Sequence, residues 1–367
     1  MKILLLPNAL KGSLSALKAG TVLEKTLKRH HTVRLFPLSD GGDGFLDFFQ
    51  ILDPHAKHIY ITAKNAFLKN IRTSFLLLSD KKTAVIETAR ICGLGQTPRR
   101  ELDPMGASSY GVGQVILKAI QKGARRIYVG LGGVACNDGG AGMVDACGGH
   151  LLDRKNRPLA LGARPLLQLT RLDLSPLQRK LKGIKIIGVA DVTNPLLGPK
   201  SSAKVFGPQK GATASEVKLL DKAMTHWAQA IRHATGKNIS SIPSTAAAGA
   251  IAAGLHGCLN GSLILGTDFL TKKLSLEKQI RWADLIITCE GKLDEQTFYG
   301  KAPFAVLKIA RKCKKRTLFI CGQYTLSPRK KYPFFPSTLT VLADFAPTLK
   351  EAQQHAPVYL TRIAKNI

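Results

Sequence analysis

The chain has 367 residues, more than one hydrophobic core usually serves, so two domains are expected. Its 45% apolar content is ordinary for a globular protein, and no run approaches the roughly 18 uninterrupted apolar residues that a membrane helix needs. The net charge of +30 favours anionic partners, yet aromatics make up only 6% of the chain and the basic residues are spread along it in ones and twos.

In chain order, KILLL (2–6) reads as a buried strand rather than part of a signal peptide, because Pro7 breaks the apolar run early. Ser13 is the expected N-cap of a helix carrying Ala16, Ala19, Leu23 and Leu27 on one stripe. A second strand, TVRLFPL (32–38), runs into SDGGDG (39–44) and another helix, the opening of a parallel sheet. Close-spaced strands at 58–63, 74–78 and 83–89 suggest antiparallel pairing, so the architecture is expected to change near residue 64. A helix bearing Val112, Val115, Ile116 and Ala119 leads to the strand RIYVGL (126–131), then to GGVACNDGGAG (132–142) and a further helix. The strand KIIGVA (185–190) ends at Asp191, which opens the loop DVTNPLLGPKSSAKVFGPQKGA (191–212). The spacing of Val217, Leu220, Met224, Trp227 and Ile231 predicts a helix over 214–233, and the Ala/Gly-rich stretch 243–259 predicts a tightly packed one. Strands DLIIT (284–288), TLFIC (317–321) and LTVL (339–342) complete the pattern.

The first two strands and the last three predict one doubly wound α/β sheet in the order 2-1-3-4-5, formed by 1–64 plus 240–367, with 65–239 inserted as a second α/β domain. Its ligand site lies beyond the carboxyl ends of strands 1 and 3, so Lys11-Gly12-Ser13 should lie beside Glu290-Gly291-Lys292. Seven cysteines without a C-x-x-C pair suit reduced thiols in a cytoplasm and give no zinc site. The densest basic clusters, RKCKKR (311–316) and PRKK (328–331), lack interleaved aromatics, and no RNP, zinc-finger or helix-turn-helix pattern accompanies them. No specific nucleic-acid partner and no membrane partner are expected.

Walker-type, protein-kinase and hydrolase-elbow motifs are all absent. What recurs is a strand, a Gly-rich turn with Asp, Asn or Lys, and then a helix: KGS (11–13), DGGDG (40–44), GG…NDGGAG (132–142), DVTNP (191–195) and EGKLD…GKA (290–302). Exposed amides and helix N-termini bind phosphate or carboxylate, while Asp and Asn hold Mg²⁺ or take a proton. Five such turns point to phosphoryl transfer to a small anionic acceptor, in which catalysis is positioning plus charge neutralisation.

The motifs KGSLSA (11–16), LSDGGDG (38–44), ASSYGVGQ (107–114), GARRIYVGLGG (123–133), NDGGAGM (137–143), DVTNPLLGP (191–199), VFGPQKGAT (205–213) and EGKLDEQTFYGKAP (290–303) resemble the type I glycerate kinase family, in the family's order from the first strand to beyond Gly322. The resemblance implies two α/β domains, one flavodoxin/Rossmann-like, with the active site in the cleft between them. It implies ATP-dependent phosphorylation of D-glycerate with Mg²⁺, most readily at the 2-hydroxyl, in a cytoplasmic monomer or homodimer. Two departures stand out: Asn8-Ala9 occupies a PDSFKGS-like loop, and Val134 and Cys136 replace two hydroxyl residues of a GGSATNDGG-like turn. They motivate an alternative, a degenerate member that senses glycerate or a related acid without turning it over; the charge motivates a second, a nucleic-acid-associated protein.

Within the kinase reading, Asp191 is the expected base or orienting carboxylate for the substrate hydroxyl, and Lys11 with the amides of Gly12 and Ser13 contacts phosphate or the acid's carboxylate. Gly41 and Gly42 are further binding candidates; Gly132, Gly133 and the turn Asn137, Asp138, Gly139 and Gly140 are expected to close on the triphosphate, with Asn194 nearby. Lys210, and Gly291 with Lys292 or Lys301, would meet the charge on the moving phosphoryl group, and Glu290 or Asp294 would hold Mg²⁺.

Overall fold

The computed structural model describes all residues except Gln96, Tyr299, Gly300 and 328–331. The PRKK segment and part of the YGKAP motif therefore lie outside the described residues. The strands in chain order are β1 (Lys2–Pro7), β2 (Thr32–Leu35), β3 (Lys57–Lys64), β4 (Asn70–Leu77), β5 (Thr83–Glu87), β6 (Arg126–Leu131), β7 (His150–Leu152), β8 (Arg171–Asp173), β9 (Lys185–Ala190), β10 (Ser262–Leu265), β11 (Leu285–Leu293), β12 (Arg316–Tyr324) and β13 (Thr338–Val341). Among the described residues, no helix is long and apolar enough to cross a membrane.

The chain divides into two α/β units, Met1–Asp40 with Gly266–Ile367, and Gly41–Leu265. The first holds a five-stranded parallel sheet in the order β2-β1-β11-β12-β13, the doubly wound order expected. Ile3 to Leu6 are fully buried, as an all-parallel strand covered on both faces requires. The helix Ala16–Leu27 covers one face through Ala19, Leu23 and Leu27, together with Leu360 and Ile363 of the helix Ala356–Ala364. Its N-cap is Ser15, whose side chain accepts from the Lys18 amide, and not Ser13. Ser13 instead donates its hydroxyl to the Gln353 carbonyl, which leaves the next serine to satisfy the helix end.

The second unit holds a six-stranded sheet in the order β10-β9-β6-β5-β4-β3. β3, β4 and β5 pair antiparallel, as expected; β5, β6, β9 and β10 pair parallel. The joins fall at 40/41 and 265/266, rather than at 64/65 and 239/240. The helix Phe45–Leu52 and β3 belong with the second sheet: Glu87 at the end of β5 accepts from the Gly44 and Leu46 amides, and Phe49 packs on Tyr128 with centroids 5.3 Å apart. At the other end β10, not visible in the sequence pattern, adds to β9.

The helix over Ala214–Thr235 begins with a capping box from Thr213 and Glu216 and ends at Gly236 in the left-handed region. The Ala-rich stretch forms a helix only over Ile251–Gly257. Before it, Ser244, Ala248, Gly249 and Ala250 all have positive φ, and the amides of Ser244 and Ala246 pair with the carbonyls of Thr193 and Asn194. Tertiary pairing there overrides alanine's helix preference.

The helix Tyr110–Gln121 packs so closely on Ala141–Ala146 that a Cβ at Gly113 would lie 2.4 Å from the Met143 carbonyl oxygen. Alanine is favoured over glycine in a helix by about 1 kcal/mol, yet Gly113→Ala is expected to lower the unfolding free energy by about 2 kcal/mol through overpacking. Urea denaturation reads the sign directly; a stabilised variant would contradict the close approach.

Candidate active site

In the second unit, β6 delivers Gly132 and Gly133, and β9 delivers Asp191, to neighbouring strand ends. Gly41 (φ +109°) passes beneath them, and a Cβ there would fall 2.1 Å from the Val189 carbonyl oxygen. Gly132 in turn lies against the backbone of Gly42. These glycines let backbones touch. A cavity of about 90 Å³ is lined by Gly132, Gly133, Asp191, Lys210 and Gly249, among others. Asp191 is exposed at its mouth.

Behind this wall, Asp138 is completely buried. Its carboxylate accepts from the Ser109 amide (2.7 Å) and hydroxyl (2.8 Å), the Ser108 hydroxyl (3.3 Å), and the amides of Gly140 (3.2 Å) and Gly142 (3.1 Å). Burial pushes its pKa up, opposed by the Ser109, Gly142 and Gly140 donors. The Gly139 carbonyl accepts from the Trp227 indole (2.9 Å) and the Gly254 amide (3.0 Å), and the Gly139 amide reaches Gly249. The Asn137–Gly140 turn is therefore packed inward, with the Gly139 and Gly140 amides engaged, and does not present the open phosphate cradle expected of it. Trp227, Ser108 and Ser109 were not among the expected site residues. The only signal for the serines was their place in ASSYG, just before a helix.

Lys210 is also buried, at 3% exposure. Its ammonium donates to the Cys136 carbonyl (2.7 Å) and to Asn137 Oδ1 (3.0 Å). Burial lowers its pKa to about 8, against the pull of Cys136 and Asp138. It is a structural clamp on the NDGG turn rather than a free surface cation. The Asn194 amide group donates to the Lys200 carbonyl at 3.0 Å and closes its own loop.

In the first unit the turns after β1 and within β11 converge, as the strand order predicts. The Gly291 amide donates to the Ala9 carbonyl at 3.2 Å, and a Cβ on Gly291 would lie 2.7 Å from the Lys11 nitrogen. Lys11, Gly12 and Lys292 are exposed, and Gly12 has φ +80°. The departing residue Asn8 turns its side-chain oxygen back to the Ala9 amide at 2.9 Å. Glu290 is 7% exposed and both its oxygens are engaged, one by Thr297 (2.9 Å) and one by Lys301 (3.0 Å). Burial raises its pKa, opposed by Lys301 and Thr297. Lys301 and Glu290 thus form an ion pair, with Glu290 inside and Lys301 partly exposed. Asp294 differs: its Oδ1 is buried and has no hydrogen-bond partner. Among the described residues, no cluster of three or more His, Cys, Asp or Glu side chains is placed to hold a metal.

The description of the glycerate kinase family matches residues 3–367. The chain belongs to the glycerate kinase family. A glycerate kinase from Halalkalibacterium halodurans is 34% identical over 100% of this chain and 97% of its own length. A glycerate 2-kinase from Escherichia coli is 36% identical with the same coverage. A crystal structure assigned to glycerate kinase 2 of Salmonella typhimurium LT2 superposes with a TM-score of 0.81 at 32% identity, covering 100% of this chain and 98% of that one. As a family member the chain is a kinase.

Asp138→Asn would replace one acceptor oxygen with an N–H group facing other donors. It is expected to lower stability by about 3 kcal/mol, seen as an earlier midpoint in chemical denaturation. A midpoint equal to the wild type would show that the carboxylate does not hold the turn.

Proposed function

We propose that the chain transfers the γ-phosphoryl group of ATP to the 2-hydroxyl of D-glycerate, yielding 2-phosphoglycerate and ADP. The observation that carries this reading is a small cavity in which an exposed carboxylate, Asp191, stands at a strand end beside glycine backbone and a buried ammonium. The glycerate 2-kinase name of the Escherichia coli relative, aligned over the whole chain, supports the choice of acceptor and hydroxyl.

In this mechanism the acid occupies the second unit's cavity, and Asp191 takes the proton of the attacking 2-hydroxyl as its oxygen bonds to the γ-phosphorus. The bond to the β-phosphate oxygen breaks, and ADP leaves. In the first unit, Lys11, the Gly12 amide and Lys292 offer cationic and N–H donors suited to a polyphosphate. Mg²⁺ keeps most of its water and phosphate ligands and needs only one or two carboxylates. Asp294 or Glu290 would supply such a carboxylate, Glu290 being already paired with Thr297 and Lys301. When bound, the metal would neutralise phosphate charge and so lower the barrier to in-line displacement. The sensing alternative is not favoured, since family membership and the retained Lys11, Asp191 and Asp294 support turnover.

An ADP-release assay with D-glycerate, ATP and Mg²⁺ tests the reading. Asp191→Asn is expected to lower kcat by about 10²- to 10⁴-fold with an unchanged melting temperature; a wild-type rate would remove Asp191 from the base role. Asp294→Asn is expected to raise the Mg²⁺ concentration for half-maximal rate by about tenfold. Absence of ADP release from the wild-type protein would overturn the proposal.

A further inference from the structure

The cavity that holds Asp191 has a second wall whose polar groups the mechanism leaves unused. Ala248 and Gly249 line it, in the turn ahead of Ala250, the cap of the helix Ile251–Gly257. Both take left-handed backbone (φ +53° and +59°), a turn in which consecutive N–H groups can share one anion. Their carbonyls are spent: that of Ala248 accepts from the Ile251 amide (3.1 Å), and that of Gly249 from the Gly139 amide (3.1 Å). Their N–H groups are not. Among the described residues neither donates to a protein acceptor, although the flanking amides of Ala247 and Ala250 pair with the carbonyls of Ser244 and Ala246. Gly249 is buried, and a buried N–H without a partner is rare in a folded protein, so an occupant of the cavity it lines is the natural acceptor.

Two neighbours suit this wall to an anion. A Cβ on Gly249 would fall 2.9 Å from Lys210 Nζ, so a buried ammonium stands directly behind the turn. Gln209 lines the same cavity, is exposed, and spends its carboxamide on no described residue. The turn that carries it is fixed by the next residue, Lys210, through Cys136 and Asn137. At about 90 Å³ the cavity suits a small acid rather than a nucleoside triphosphate.

We infer that the N–H groups of Ala248 and Gly249 hold the carboxylate of the acid acceptor, with the Gln209 carboxamide donating to it from the rim. The inference rests on the kinase reading above and deepens it by naming what the site recognises, a carboxylate with a hydroxyl on the adjacent carbon. An acid anchored in this way carries its 2-hydroxyl one carbon nearer the anchored end than its 3-hydroxyl, within the cavity that Asp191 shares.

The test measures binding of D-glycerate and of D-glyceramide, its uncharged amide, by calorimetry, with and without Mg²⁺ and a non-hydrolysable ATP analogue. The wild type is expected to bind the amide about tenfold or more weakly than the acid, since charge-assisted hydrogen bonds are the stronger ones. Gln209→Glu should weaken acid binding about tenfold or more by setting a like charge at the rim, and Gln209→Ala about threefold. D-Glycerate should also slow hydrogen–deuterium exchange of the wild-type segment 246–251, read by mass spectrometry. Equal wild-type affinity for acid and amide, wild-type acid affinity in Gln209→Glu, or bound acid that leaves exchange at 246–251 unchanged would overturn the inference, as would absence of acid binding. The exchange measurement uses the unmodified chain, so it decides even where a variant misfolds. Failure of the kinase reading would show separately, as protection of 246–251 by the acid without ADP release.

Discussion

The second unit's site depends on a carboxylate that never meets solvent. Asp138 gathers five donors from the start of the helix Tyr110–Gln121 and from its own turn, and thereby ties the loop after β6 to two helices. A charge so buried would be costly without those donors. Trp227 seals the far side through the Gly139 carbonyl, and Lys210 closes the near side through Cys136 and Asn137. Gly132, Gly133 and Asp191 are then held at the ends of adjacent parallel strands, where side chains and amides can face a ligand.

The first unit reaches a similar end by topology. Where the strand order reverses, β1 is flanked by β2 on one side and β11 on the other, so the turns beyond them diverge or converge by geometry alone. Gly291 lets the β11 backbone reach Ala9, and lysines on both segments remain exposed. The Glu290–Lys301–Thr297 group braces the segment that carries Asp294.

Strand order and the Lys11–Gly291 convergence were legible in the sequence because unbroken apolar runs such as KILLL and LIIT announce buried parallel strands, and five of them leave few right-handed arrangements. The joins were not, because β3 and the helix Phe45–Leu52 carry no mark of which sheet they serve. The Ala-rich stretch misled for a related reason: its turns are dictated by pairing with Thr193 and Asn194, some fifty residues away. Candidate site residues were legible as types in Gly-rich turns, but not their fates. Nothing local separates Asp138, swallowed by serine hydroxyls and amides, from Asp191, left at a cavity mouth. Nor does spacing reveal that Lys301 pairs with Glu290 or that Lys210 points inward.

The central claim is that these residues direct a phosphoryl group to one hydroxyl of a three-carbon acid. It is tested most directly by phosphorus–proton correlation NMR on the product formed from D-glycerate, ATP and Mg²⁺. The account predicts phosphorus coupled to the single methine proton at carbon 2. Coupling to the methylene protons at carbon 3, or no phosphorylated acid at all, would contradict it.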